Sequence, residues 1–296
     1  MKPHGASIEH HVAILTDVTK CVGCEKCVAA CVETNKTGNP IPYIYAHPDG
    51  LSYNRWTSVI KVTDEETGKW RFVRKQCLHC EDPACVGACP ARAWKKTETG
   101  AVVYNPGKCI GCRYCMISCP YKIPRFDWAH SISFMSKCIL CYERLKEGKK
   151  PACTTACPYG ATIFGTREEM LAEARYRIAM GKMSEKFKAL VKNAARPLDE
   201  EKAGQEEDKA TYIDRIWGED DMGGTCVLYI SDVPLEDLGF MPADHKFRTK
   251  SMTEWTWPVA SKTPLLAAGV LFPASAIYWV INRRMKLQGG DDGHGH

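Results

Sequence analysis

The chain has 296 residues, of which 45% are hydrophobic, and a formal net charge of +5 at pH 7. This length fits one or two domains, and the mild, scattered positive charge argues against a nucleic-acid-binding function. The 17 cysteines far exceed the usual content of a cytosolic enzyme. The first residues lack the apolar core of a signal peptide and a twin-arginine pair, so export would depend on a partner's signal or on a removed leader.

The N-terminal segment leads into the first cysteine run. Residues 1–11 are polar and predict a loose arm whose histidines, His11 among them, are solvated rather than bound to a metal. Residues 12–16 predict a short strand, and residues 28–35 predict a helix after the third cysteine of the run. The first run consists of Cys21, Cys24, Cys27 and Cys31.

A loop and a hairpin separate the first run from the second. Residues 36–57 are rich in Gly, Pro, Tyr and Asn and predict a long surface loop. Residues 56–63 and 70–75 alternate in polarity around a charged turn, which predicts a β-hairpin. The second run consists of Cys77, Cys80, Cys85 and Cys89, followed by Pro90.

The third run repeats the arrangement of the first. It consists of Cys109, Cys112, Cys115 and Cys119, followed by Pro120. A strand predicted over residues 101–104 precedes it, as residues 12–16 precede the first run. The order of strand, cysteine run and helix therefore recurs, which indicates an internal repeat.

The fourth run is the most widely spaced and leads into an extension. It consists of Cys138, Cys141, Cys153 and Cys157, followed by Pro158. Residues 161–164 predict a closing strand, and Thr166 with Glu169 predicts a capping box that opens a helix. A second amphipathic segment begins near Ser184, and residues 197–209 predict a charged loop. Cys226 lies in an apolar stretch without a neighbouring cysteine, which predicts a small core residue.

Three cations lie near the third and fourth runs: Lys122, Arg125 and Lys137. They either offset the negative charge of bound clusters or are ordinary surface cations, and the sequence leaves both readings open.

The C-terminal region predicts a membrane anchor. Residues 264–281 form an apolar run of 18 residues, which just spans a thin bilayer as a helix. Aromatic residues flank it on both sides, Pro273 lies inside it, and basic residues follow it. The alternative is a buried C-terminal helix of the soluble domain. The basic residues after the run predict a cytoplasmic C-terminus and a periplasmic cluster domain, although cations before the run weaken that orientation.

The spacing within the runs is typical of iron–sulfur ligation. The third run reads C-x2-C-x2-C-x3-C-P, the bacterial ferredoxin pattern for a [4Fe–4S] cube. Gly23 and Gly111 precede the second cysteine of their runs, where a backbone without Cβ can approach a cluster closely. Zinc sites usually use two separated C-x2-C pairs, and this spacing is poor geometry for disulfides. Sixteen of the 17 cysteines form four sets of four, enough for four [4Fe–4S] clusters.

These patterns predict an α+β fold: tandem bacterial-ferredoxin-like 4Fe–4S modules with a C-terminal extension and one transmembrane helix. The predicted parts are an N-terminal arm (1–11), a four-cluster ferredoxin-like domain (12–165), a C-terminal extension (166–250), a transmembrane anchor (251–286) and a disordered tail (287–296).

Five features of the chain carry a resemblance. They are the four runs, their Cys-Pro endings, the stretch from Phe164 to Met170, residues 223–225 and the C-terminal anchor. Together they resemble the iron–sulfur subunits of respiratory membrane oxidoreductases. The similar types are the beta subunit of formate dehydrogenase and the ferredoxin-like subunit of [NiFe] hydrogenase, within the dimethyl-sulfoxide-reductase group. The motif order extends over roughly residues 12–285.

The resemblance implies how the cysteines are shared among clusters. It joins Cys157 to the first three cysteines of run one and Cys31 to the first three of run four. It likewise joins Cys119 to Cys77, Cys80 and Cys85, and Cys89 to Cys109, Cys112 and Cys115.

The resemblance also implies partners and a function. A catalytic subunit, of the molybdenum or tungsten pterin type or of the [NiFe] hydrogenase type, exchanges electrons with this chain. A membrane subunit with haem b or a quinone site exchanges them at the other end. We therefore expect a non-catalytic electron-transfer subunit on a single-pass membrane anchor. The alternatives are a free-standing polyferredoxin that docks several partners and a zinc-stabilised scaffold.

Overall fold

The computed structural model describes residues 11–38, 48–128, 130, 134–189, 211–236, 239–242, 244–245 and 249–288. The predicted loop at 197–209, most of the predicted arm and nearly all of the predicted tail lie outside these residues. The chain divides into two units, Met1–Ser251 and Met252–His296, which are described separately below.

The first unit mixes short strands and short helices, as the predicted α+β class requires. Its strands are β1 (Val12–Asp17), β2 (Thr57–Thr63), β3 (Trp70–Gln76), β4 (Trp94–Lys96), β5 (Val102–Tyr104), β6 (Arg125–Phe126), β7 (Met135–Ser136), β8 (Thr162–Thr166) and β9 (Val227–Ile230). Its helices are α1 (Lys26–Asn35), α2 (Ala84–Gly87), α3 (Tyr114–Ser118), α4 (Tyr142–Lys146), α5 (Ala152–Thr155), α6 (Arg167–Met180) and α7 (Glu185–Lys188).

A three-stranded sheet with the order β8-β1-β9 organises this unit. β8 runs antiparallel to β1, and β9 runs parallel to it. Ile14 of the central strand faces one hydrophobic core, while Ala13 and Leu15 face a second core that includes α6 and α7. Because both faces are covered, the strand is nearly continuously apolar. The segment predicted as a separate extension, 166–250, therefore supplies a strand to the sheet that contains β1.

Most predicted elements are confirmed. β2 and β3 form the predicted hairpin, with Thr57 opposite Gln76 and Thr63 opposite Trp70. Thr166 and Glu169 form the predicted capping box at the start of α6. The predicted strands before the first and third runs are present as β1 and β5.

The internal repeat extends to the chain between strand and cysteines. In each repeat a 3-10 turn, Val18–Lys20 or Pro106–Lys108, separates the strand from the first cysteine. The side chain before each turn accepts a backbone hydrogen bond, Asp17 from the N–H of Thr19 and Asn105 from the N–H of Gly107. A side-chain oxygen in this position satisfies an N–H that the turn leaves unpaired.

Two predictions about exposure are wrong. His11 is only 4% exposed, because its ring contacts Glu81 at 2.5 Å and its carbonyl accepts from the N–H of Arg167. The described end of the predicted surface loop is also partly internal: Leu51 and Asn54 are buried, since this segment packs beside the start of β2.

The second unit consists of α8 (Met252–Ala260) and α9 (Thr263–Gln288). α9 contains the predicted apolar run 264–281, with Pro273 inside the helix. By length and composition, the stretch Met252–Leu287, which contains an 18-residue window of mean hydropathy 1.8, is able to cross a membrane. Its apolar side chains are exposed, as those of a lipid-facing helix would be.

Candidate iron–sulfur cluster sites

The structure brings the sixteen cysteines of the four runs into four groups. Site 1 is a cavity whose lining includes Cys21, Cys24, Cys27 and Cys157. Site 4 is a cavity whose lining includes Cys31, Cys138, Cys141 and Cys153. Site 3 is a cavity whose lining includes Cys89, Cys109, Cys112 and Cys115. The grouping at these sites is the one that the resemblance implies.

Site 2 consists of two buried cysteines, Cys77 and Cys85, and two half-buried ones, Cys80 and Cys119. Burial raises the pKa of the Cys80 thiol well above its usual range, and the neighbouring thiols Cys119, Cys77 and Cys85 raise it further. These four cysteines are the remaining set that the resemblance predicts. Their proximity agrees with that set.

Each site is built on the same backbone turn. The residue before the second cysteine has a left-handed backbone in every run, with φ of 72° at Gly23, 50° at His79, 70° at Gly111 and 57° at Leu140. The sequence identified the two glycines, but it gave no signal for His79 and Leu140, where a side chain makes this conformation unfavourable.

This turn points backbone N–H groups at the sulfur of the first cysteine. The N–H of His79 lies 3.5 Å from Cys77 Sγ, that of Gly111 lies 3.4 Å from Cys109 Sγ, and that of Leu140 lies 3.4 Å from Cys138 Sγ. Such donors stabilise the thiolate form, which is the form that binds metal. The strain at His79 and Leu140 therefore has a functional reason.

The thiols of neighbouring sites lie close enough to influence each other. Burial raises the pKa of Cys27 to about 11; Arg74 opposes this rise, and Cys153 of site 4 adds to it. Burial also raises the pKa of Cys138 well above its usual range, and Cys31 and then Cys77 of site 2 contribute.

Site 3 connects to the others through site 2. Burial raises the pKa of Cys85 to about 12, Lys137 opposes the rise, and Cys115 of site 3 is among the thiols that add to it. Cys85 and Cys115 share a hydrophobic cluster with Trp94. The spatial order of the four groups is therefore site 1, site 4, site 2, site 3.

The solvent exposure of the cysteines differs between the two ends and the middle of this series. Cys24 of site 1 and Cys112 of site 3 are exposed, whereas all four cysteines of site 4 are buried. Site 2 contains two buried and two half-buried cysteines. The two ends of the series meet solvent, and its middle is enclosed.

The cations Arg125 and Lys137 are not the ordinary surface cations of the second reading, since they are 5% and 3% exposed. Arg125 pairs with Asp49, which neutralises its charge. Lys122 is exposed. Burial lowers the pKa of Lys137, but the nearby thiols of Cys77, Cys85 and Cys138 more than reverse this effect, so the net shift is upward.

No sequence motif directly indicated Arg74 as a site residue. This β3 side chain is 2% exposed and lines the cavities of both site 1 and site 4. One guanidinium nitrogen lies 3.1 Å from Cys153 Sγ. The available signal was a basic residue in a β-prone stretch three positions before a cysteine run.

Cys226 is fully buried, as a core residue should be, but its neighbours are polar. Its sulfur lies 3.4 Å from Lys96 Nζ and 3.3 Å from Glu81. His11, Glu81 and Cys226 offer ligand atoms within 4.8 Å of one another. Lys96 and Arg167 lie 3.6 and 3.5 Å from the Glu81 carboxylate, so cationic side chains already compensate it. This arrangement is a buried ion network rather than a metal site.

The donor sets fit iron–sulfur clusters on the chemistry that the structure displays. The sets at sites 1, 3 and 4 each offer four soft sulfur ligands to one cavity, and the turns at sites 2, 3 and 4 direct an N–H at a sulfur. Arg74 and Lys137, which have no carboxylate partner within the described part of the chain, lie beside the sulfurs, as an anionic group would require.

The fold and these sites define an iron–sulfur protein with tandem ferredoxin-like modules. Models of the 4Fe-4S dicluster domain match residues 20–93 and residues 68–167. The chain is 36% identical to the hydrogenase-2 operon protein HybA of Escherichia coli O157:H7, over 95% of this chain and 88% of that protein.

Two further relatives are formate dehydrogenase subunits from Escherichia coli K12. The iron–sulfur subunit of the nitrate-inducible enzyme is 35% identical over 88% of this chain and 81% of its own length. The formate dehydrogenase-O iron–sulfur subunit is 39% identical over 60% of each chain. The chain belongs to this family of 4Fe–4S dicluster proteins, which includes HybA and the iron–sulfur subunits of formate dehydrogenases.

Proposed function

We propose that this chain relays electrons through four [4Fe–4S] clusters between a catalytic oxidoreductase subunit and a membrane quinone or cytochrome b subunit. The carrying observation is the series of sites 1, 4, 2 and 3, which ends in an exposed cysteine on each side. A bound [4Fe–4S] cluster accepts and releases a single electron. The enclosed middle sites keep electrons away from solvent, and the exposed ends allow exchange with partners.

The ligands of each cluster are, in this proposal, the four cysteines of each site. Three come from one run and the fourth from another, so each pair of runs ties together two clusters. This exchange is the pattern of two-cluster ferredoxins.

The surface around site 3 supports docking of a partner. Ile110, Tyr114, Ile117 and Trp128 are between 56% and 83% exposed. An apolar surface beside an exposed cluster ligand suits a contact that excludes water during electron transfer. We expect Ile117→Lys to weaken retention of a partner during purification, whereas the exposed Tyr176→Lys on α6 should not.

Metal analysis of the native complex, purified anaerobically from membranes, tests the cofactors. We expect about sixteen irons and sixteen sulfides per chain for four clusters. Nickel would identify a hydrogenase-type catalytic partner, and molybdenum or tungsten a pterin enzyme. Zinc without iron would refute the proposal.

The Cys112→Ser variant tests the relay. It should damage one cluster and stop electron delivery to quinone, while the catalytic partner still binds its substrate. Unchanged quinone reduction in that variant would contradict an obligatory relay through site 3.

The membrane anchor and its orientation complete the proposal. We propose that α9 spans the membrane, with the first unit in the periplasm and the C-terminus in the cytoplasm. Protease added to spheroplasts should cleave the first unit and leave a C-terminal tag intact. Protection of the first unit would reverse the orientation.

A further inference from the structure

Two buried cations flank site 4. Arg74 and Lys137 are 2% and 3% exposed, and no carboxylate among the residues that the structure describes forms an ion pair with either. A buried charge without a counter-charge is strongly unfavourable. Their compensating charge therefore comes from the cysteine thiolates beside them, alone or as ligands of a bound group.

Arg74 lies between sites 1 and 4. Its guanidinium donates to Cys153 Sγ at 3.1 Å, to Thr162 Oγ1 at 2.8 Å and to Thr57 Oγ1 at 3.2 Å, and it also contacts Gln76. All partners except the sulfur are neutral. Among the residues that the structure describes, the potential anion at this guanidinium is therefore the ligand sphere of sites 1 and 4.

Lys137 lies between sites 4 and 2. Its Nζ donates to the carbonyls of Val102 at 2.9 Å and Cys138 at 3.1 Å, and it stands 4.9 Å from the centre of the Trp94 ring. Of the neighbouring thiols, Cys77 and Cys85 belong to site 2 and Cys138 belongs to site 4. Lys96, another lysine beside site 2, is paired with Glu81 and so contributes little net positive field.

A fixed cation favours the more negative state of a nearby group, and this effect is strong where water is excluded. A cluster with four thiolate ligands is anionic and becomes more so when it accepts an electron. Nearby positive charge therefore raises its reduction potential, and charge and burial are known determinants of that potential. Site 4 is the site that both unneutralised cations flank.

We propose that Arg74 and Lys137 raise the reduction potential of the site 4 cluster, so that site 4 is the first of the four to be reduced. This inference rests on the proposed cluster ligation. Each cation also acts on one outer neighbour, Arg74 on site 1 and Lys137 on site 2, so each couples a pair of sites.

The competing explanation is purely structural. Arg74 ties β2, β3 and β8 together through Thr57, Gln76 and Thr162. If these hydrogen bonds only hold the strands together, changing the side chain should lower the stability of the protein. The variants that assemble should then keep the reduction potentials of their clusters.

The test is a redox titration of the purified complex, followed by electron paramagnetic resonance. Arg74→Gln and Lys137→Gln should each lower the potentials of two clusters, with one cluster common to both. For that cluster we expect at least a tenfold loss in the reduction equilibrium constant per variant, which is about 59 mV for a one-electron couple. The double variant should lower the potential of the common cluster by the sum of the two single-variant shifts.

Charge-conserving variants and a distant control separate charge from shape. Arg74→Lys and Lys137→Arg should keep the potentials closer to wild type than the glutamine variants do. Arg175→Gln, at an exposed ion pair with Glu219, should leave all four potentials unchanged. Glutamine variants without shifts, or no signal common to both, would overturn the inference.

Iron content distinguishes this failure from failure of the relay itself. Wild-type protein without four clusters would refute the proposed function. A full complement of clusters with unshifted potentials would refute only the role of the two cations. Loss of iron from the glutamine variants is a separate outcome. If both charge-conserving variants then keep their iron, the result supports a requirement for positive charge at these positions. If the charge-conserving variants also lose iron, the inference is overturned.

Discussion

The turns at sites 1 and 3 have nearly the same backbone, but they lie in different surroundings. Gly23 and Gly111 have φ of 72° and 70°, and the residues two positions later, Glu25 and Arg113, are left-handed as well. The strand before site 1 is the centre of a three-stranded sheet, whereas β5 before site 3 belongs to a two-stranded ribbon. The ligand turn is a local structure that the sequence repeats, and its environment is built separately each time.

The largest expected effect is loss of a cluster at either end. Cys24→Ser and Cys112→Ser each replace an exposed thiolate with a poor iron ligand, and each should remove or damage one cluster, up to about four irons per chain. Iron and sulfide analysis measures this loss. Cys226→Ser is the matched control and should retain all iron, so a loss there would mean that the seventeenth cysteine is a ligand.

The next largest effect is on stability, and it concerns the residue before each of the two 3-10 turns. Asp17 is fully buried and accepts hydrogen bonds from Arg177 at 2.9 Å and Tyr212 at 2.8 Å. Asp17→Ala removes one partner of a buried ion pair and should destabilise the first unit by about 4 kcal/mol. Asn105 is exposed, and Asn105→Ala removes only a cap, at about 1 kcal/mol.

Denaturant midpoints, followed by tryptophan fluorescence of the assembled protein, compare these two variants. Equal midpoints would show that the network around Asp17 does not contribute more than a single cap.

The two glycines differ in the space around them. A Cβ at Gly23 would lie 2.8 Å from the Phe72 ring, whereas a Cβ at Gly111 would lie 4.0 Å from its nearest neighbour, the Phe126 ring. Gly23→Ala combines left-handed strain with overpacking, about 3 kcal/mol, while Gly111→Ala adds only the strain, about 1 kcal/mol. The rate of cluster bleaching in denaturant measures the difference. Faster bleaching of the Gly111 variant would contradict it.

The smallest effect concerns the second left-handed residue of each turn. Glu25→Gly relieves backbone strain and loses one exposed ion pair with Arg55, so it should stabilise by about 0.5 kcal/mol. Arg113→Gly gains similarly but loses stacking over Trp128, at 5.0 Å, and should be neutral. The same denaturant midpoints test this pair, and destabilisation by Glu25→Gly would show that the left-handed residue is not strained.

The features that the sequence predicted are local. The cysteine runs, the hairpin of β2 and β3, the capping box at Thr166 and the repeat all follow from spacing or polarity within a few residues. The features that it missed depend on distant parts of the chain. β9 pairs with β1 across more than two hundred residues. His11 is buried because its ring contacts Glu81, which is distant in sequence.

The site shows the same division. Cysteine positions were readable from the sequence, and the turn was anticipated at Gly23 and Gly111. The left-handed backbone at Leu140 was not, because leucine disfavours it and only a ligand requirement explains it. Arg74 was missed because its position between two sites depends on where β3 packs, not on its neighbours in sequence.

The parallel pairing of β9 with β1 bears on biosynthesis. β1 keeps one open sheet edge until Val227–Ile230, which is synthesised more than two hundred residues later, has also been made. A nascent chain that stops before this point exposes an edge that other chains can join. A truncated product is therefore expected to aggregate rather than accumulate as a partly loaded ferredoxin.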